Sequence, residues 1–161
     1  MAKSRTTAKA LSPNEELLAF LRQDELDYPA AALKFGKESL PFLKELINSS
    51  DENLAVKAAY LVGYIDDDSG DQILEEAATK GSAPIRVAAA FGAQSRKSAG
   101  AEAILKKSLE DSDPSVIKFA LSSAKKAKLE KTLQPKIEKI SKNFLDEGIK
   151  SVASEMLKKI K

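Results

Sequence analysis

The chain of 161 residues has no cysteine, no histidine and no tryptophan. The first two absences exclude a disulfide, a thiolate nucleophile, a zinc-thiolate cluster, an imidazole base and a histidine metal ligand. A cysteine-free chain suits the reducing cytoplasm, where this one is expected to reside. Aromatic residues make up only 6%, so a core must be assembled from Ala and Leu, which favours closely packed helices over a sandwich of large side chains. No run approaches the roughly 18 apolar residues of a membrane span, and no apolar segment follows the basic start in the manner of a secretory signal. Alternation across branched residues, the mark of a strand, is also missing.

What is present is enough hydrophobic sequence, 43%, to give one continuous core in a chain of this length. The formal charge of +2 hides an asymmetry. Residues 11–124 carry 12 basic against 19 acidic side chains, net −7, whereas residues 125–161 carry 11 lysines against 5 acids, net +6. An acidic body with basic ends can steer charged partners or keep the chain soluble.

Three stretches repeat one another: 51–65, 82–94 and 113–124. Each opens with polar or helix-starting residues and passes through an aliphatic-basic pair, Val56-Lys57, Ile85-Arg86 or Ile117-Lys118. Each then runs into small apolar residues. Aligned on the basic member the copies lie 29 and 32 residues apart, the length of a helical hairpin. Leu54, Ala58, Leu61 and Ile65 fall at helical spacing in the first copy, with Val56, Ala59 and Val62 widening the apolar face, so this helix needs two packing partners. In the second copy Ala88, Ala89, Ala90 and Gly92 allow a neighbouring helix to come close.

Around these copies the spacing predicts helices over 13–22, opened by Ser12-Pro13, and over 28–35, stopped by Gly36. Further helices are predicted over 38–49, 71–80, 83–96 and 101–110, with Ser98 to Gly100 as a turn. Asp113 is the expected cap of the third copy. Beyond it, Pro135 is expected to interrupt a short basic segment, and Ile137, Ile140, Phe144 and Leu145 resume helical spacing as far as Gly148. Ile149, Val152, Ala153, Met156, Leu157 and Ile160 then form a terminal amphipathic helix. The domain reading is a flexible basic tail over 1–11, a repeat body over 12–124 and a basic helical cap over 125–161 packed on the same domain.

The sequences Asp113-Pro114-Ser115-Val116, Ile85-Arg86-Val87-Ala88-Ala89 with Phe91-Gly92, and Val56-Lys57-Ala58-Ala59 with Val62-Gly63 resemble HEAT repeats. They are most similar to the short bacterial and archaeal variety related to the repeats of phycobilisome lyases. The third copy has Ala124 where the pattern has Gly. The resemblance covers about residues 28–124 and implies an all-α fold, an α-solenoid of about four to five antiparallel helical hairpins. It also implies that Asp113 caps its helix and that Lys57, Arg86 and Lys118 form a polar ladder between repeats. Members of that family are protein-binding scaffolds, bilin lyases, metal-dependent hydroxylases or alkylated-base glycosylases.

Histidine-dependent hydroxylation is excluded by composition. The glycosylase reading lacks support, since the body is acidic and Tyr28, Phe35, Phe42, Tyr60, Phe91 and Phe119 are placed for core packing; a bilin-lyase-like enzyme stays as a further alternative, with no cofactor motif visible. No catalytic set, cofactor or metal ligand is nominated; Asp66, Asp67, Asp68 and Asp71 lack the alternating ligands of a calcium loop and read as a solvated turn. The expectation is a non-enzymatic scaffold that binds a protein through its second-type helices, with Lys44, Glu45, Glu75, Glu76, Lys106 and Lys107 as contact candidates. The alternative is nucleic-acid binding through Lys125, Lys126, Lys128 and Lys131, although the tail lacks the arginines suited to phosphate and base contacts. The last helix could instead lie on an anionic membrane surface, but packing as a cap uses its apolar face equally well.

Overall fold

Helix starts in this protein are written by Asp, Ser and Pro. In the computed structural model, which describes residues 10–160, the side chains of Ser12, Asp27, Asp51, Asp113 and Asp146 each accept hydrogen bonds from backbone amides in the helical turn that follows. Ser12 and Glu15 satisfy each other's amides, a reciprocal capping box that also holds the Glu15 carboxyl below its ordinary range. All six prolines occupy the first turn of a helix, where the missing amide has no partner to lose.

The resulting elements are α1 (Pro13–Leu21), α2 (Tyr28–Phe35), α3 (Leu40–Ile47), α4 (Glu52–Tyr64), α5 (Ser69–Lys80), α6 (Ala83–Gly92), α7 (Ser98–Ser108), α8 (Pro114–Lys126), α9 (Gln134–Asn143) and α10 (Glu147–Lys158). Single 3₁₀ turns at Lys37–Ser39 and Ala93–Ser95 precede α3 and follow α6. There is no strand among the described residues. The expected tail, 1–11, lies outside the described residues except for Ala10 and Leu11.

Three local expectations are corrected. Ser98 to Gly100 is the first turn of α7 rather than a turn between helices, with the extended backbone of Lys97 as its N-cap. Pro135 opens α9 and interrupts nothing. The pattern from Ile137 does not continue to Gly148: α9 ends at Asn143, Leu145 is 96% exposed, and Asp146 caps a new helix with Gly148 inside its first turn.

Packing follows the two-faced character of the repeated helices. α4 lies against α6 and α6 against α8, while α2 borders α4; α5 lies along α7, and each of α4 and α6 also touches the helices adjacent to it in sequence. Buried apolar residues from Leu17 to Met156 form one cluster. At the α4–α6 crossing the backbones nearly touch, since a Cβ built on Gly63 would lie 2.9 Å from the Cα of Gly92. Gly36, which ends α2 in a similar Phe-Gly sequence, does another job: its φ of 62° turns the chain into α3. Along the same helices runs a file of half-buried rings, Tyr28 to Tyr60 at 5.9 Å, Tyr60 to Phe91 at 5.6 Å and Phe91 to Phe119 at 6.1 Å, the last two pairs edge-on.

Candidate interaction surface

The basic residues of the repeated stretches do different things. Lys57 donates from Nζ to the carbonyls of Leu21 and Gln23, at 3.0 and 3.1 Å, and so closes the C-terminus of α1 with a cation. Arg86 grips the Asp111 carboxylate with two parallel bonds, Nε at 2.8 Å and Nη2 at 3.2 Å, and donates from Nη1 to Gly81 O. It thus ties the α5–α6 connection to the α7–α8 connection. Burial pushes the Asp111 carboxyl up, but the Arg86 guanidinium and the Asp113 amide outweigh it and leave the group below its ordinary range. Asp113 accepts from the amides of Ser115 and Val116. Lys118 is exposed, and its side chain has no hydrogen bond or ion pair among the described residues.

The strongest polar centre lies on a residue that repeat reasoning did not single out. Arg96, with only 4% of its side chain exposed, donates to Asp71 Oδ1 at 2.7 Å and to the carbonyls of Val62, Gly63, Ile65 and Asp67. One guanidinium therefore closes the C-terminus of α4, holds the turn that follows, and pairs with a carboxylate in the first turn of α5, where the helix dipole also favours it. A Cβ on Gly100 would overlap the Asp71 carboxylate, so Gly100 leaves the room that the pair occupies. Two sequence signals were available: Arg96 stands just past the small-residue run of α6, and Asp71 and Gly100 are the small or acidic residues of two helix starts. Ser123 is a second missed residue, donating to Ala90 O at 2.6 Å across the α6–α8 contact.

Two carboxylates of the acidic turn make structural bonds and a third stands near a cation. Asp71 faces Arg96, Asp67 accepts from the Ser69 amide at 2.9 Å, and Asp68 approaches Lys97 at 3.8 Å. Among the described residues no group of three or more acidic side chains is arranged to hold a metal ion.

The six contact candidates do not all line one groove. Lys44 and Glu76 stand on the walls of a groove of about 730 Å³ between α3 and α5, floored in part by Leu40, Pro41 and Ile73. Both also border a second hollow near the start of α6. Glu45 is exposed and Glu75 half-buried on the same helices, but neither lines these grooves. Lys106 is bound to Glu102 one turn back at 2.9 Å. Lys107 is exposed beside Glu110 and Asp111. Lys125, Lys126, Lys128 and Lys131 are all exposed at and just beyond the end of α8. There Lys128 adopts φ 60° while its amide and that of Leu129 bond back to Lys125 O and Ala124 O, the left-handed helix stop normally given to glycine. Lys125 and Lys126, in the last turn of α8, have a structural use as they stand, at the negative end of the helix dipole.

No helix among the described residues is long and apolar enough to cross a membrane. Protein-family models give no match to the chain, and a search of curated proteins returns no relative.

Proposed function

We propose that this chain is a HEAT-like α-solenoid whose act is reversible binding of another protein in the cytoplasm, along the row formed by α3, α5 and α7. The observation that carries this reading is the open groove between α3 and α5, whose walls present Lys44 and Glu76 to solvent while its floor remains apolar. The repeated contact of alternate helices supports the solenoid: such stacking presents successive helices side by side on a preformed surface, which lowers the ordering cost of binding. Arg86 and Arg96 stiffen that surface by joining segments 25 to 34 residues apart. In this reading the lysine-rich segment from Lys125 onward is the end cap of the stack.

The test is capture of a partner from lysate treated with nuclease, comparing the parent chain with a variant carrying Glu75→Lys and Glu76→Lys. The variant should lose the captured protein at an unchanged thermal midpoint. Loss of capture together with loss of fold would remove the interface assignment. A second reading, nucleic-acid binding, is supported by the exposure of Lys125, Lys126, Lys128 and Lys131, none of which has an ion pair among the described residues. It predicts salt-sensitive gel retardation abolished by neutralising Lys125, Lys126 and Lys128.

A further inference from the structure

α9 takes α10 as its principal packing partner, whereas α7 is held by α5 and α8. The space left between the end of α7 and α9 is a groove of about 420 Å³, within the roughly 300–1,000 Å³ of ordinary ligand pockets. Its apolar lining comes from Leu109, Pro135, Ile140 and Phe144. Leu109 and Ile140 are anchored in the core and Phe144 is half-buried, so this lining is held in shape from behind.

Charge around this groove is unbalanced. Lys136 bonds to Glu110, and Lys139 and Lys107 act on the same carboxylate from α9 and α7. Asp111, the other acid lining the groove, is already taken by both arms of Arg86. Glu138 on α9 does not line the groove. Of the three ammonium groups that act on Glu110, Lys136 and Lys139 line the groove while Lys107 lies outside its lining, so the groove itself sets two cations against one free carboxylate beside an apolar slot.

The geometry points to this groove as a docking site for an acidic protein segment carrying one or two large apolar side chains. Carboxylates of the segment would meet Lys107, Lys136 and Lys139 while its apolar anchors enter between Leu109 and Ile140. The proposal rests on the reading of the chain as a protein-binding module but places a contact away from the α3–α5 groove. A nucleic acid fits the slot less well, because it would set phosphates against an apolar lining that offers no arginine fork.

Fluorescence anisotropy on the full chain tests this directly with a labelled synthetic helix bearing Leu or Phe at every third or fourth position and Glu elsewhere. Saturable, salt-weakened binding is expected. Replacing the peptide's Glu with Gln, or making Lys107→Glu with Lys139→Glu in the protein, should each weaken it by about tenfold or more, since both act on the charged contacts. Lys44→Glu, in the other groove, should leave it unchanged. Circular dichroism of the double variant verifies that exposed Lys107 and Lys139 have been changed without loss of helix. Absence of saturable binding, equal affinity for the Gln peptide, insensitivity to the double variant, or displacement by a single-stranded oligonucleotide would each overturn the proposal. If the peptide binds as expected while the Glu75/Glu76 variant still captures its partner, this groove stands and the α3–α5 interface falls.

Discussion

Replacing Arg96 by Ala would remove its hydrogen bonds to five acceptors in a single step. The side chain is 4% exposed and its partner Asp71 21% exposed, so little solvent screens the pair. Breaking a buried ion pair by deleting one member costs about 3–5 kcal/mol, because the remaining charge stays behind unpaired. The partial exposure of Asp71 argues for the lower half of that range. The carbonyls of Val62, Ile65 and Asp67 keep the backbone amides of Ile65, Asp67 and Gly70 as donors, so the lost carbonyl bonds together add about 1 kcal/mol. We expect a loss of about 4 kcal/mol in urea unfolding followed by circular dichroism, and for a chain of this size a fall in midpoint on the order of 10 °C. Arg96→Lys should recover less than half of that loss, since a single ammonium cannot reach the carboxylate and the carbonyl cluster together. A change below about 1 kcal/mol for Arg96→Ala would refute the reasoning and leave the contacts as incidental.

Four further outcomes follow from particular contacts. Gly63→Ala should destabilise by about 1–3 kcal/mol in the same assay, because the added methyl meets the Gly92 backbone and α4 must move from α6. Lys128→Gly should stabilise by about 0.5–1 kcal/mol, the relief of a left-handed residue with φ 60° less the added freedom of the unfolded chain. Burial, with Tyr60 and Tyr64 nearby, pushes the Tyr28 phenol up to about 12. Between the unfolded value of about 10 and that folded value the native state holds the extra proton, so stability should fall with rising pH, and Tyr28→Phe should remove the late step in tyrosinate absorbance. Asp111 has the opposite sign: its lowered folded value gives stability present above an unfolded value of about 3.9 and lost as pH falls through the folded one, a loss that Asp111→Asn should diminish in acid unfolding curves.

Much of the helical order was legible because it depends on neighbours in sequence. Asp51, Asp113 and the six prolines mark helix starts through bonds or lost bonds within one turn, and these signals survive in any surroundings. The misread places had the same local origin. At Ser98 and Gly148 residues common in turns sit in the first turn of a helix, a position that tolerates them, and the pattern from Ile137 to Leu145 crosses a break that only the cap at Asp146 reveals. Small residues at Gly63 and Gly92 announced that something comes close; which helix comes close was decided by packing α4 on α6.

The candidate surface was less legible. Lys44 and Glu76 share a groove because α3 and α5 stand apart there, a separation set by their packing on α4 and α6 and by nothing in their own spacing. Lys57, Arg86 and Lys118 look alike in the repeated pattern, yet one closes a helix end, one grips a carboxylate and one stands in solvent. By itself the sequence determined an all-helical chain without thiol or imidazole chemistry, the starts of its helices, and the small-residue faces that let them pack closely, because each depends on residue type or on contacts within a turn. Tertiary structure alone decided that Arg96 would hold Val62 and Asp71 together, and that Lys136 would reach Glu110. Those meetings join segments some 25 to 34 residues apart, and only the placing of whole helices brings such residues within reach.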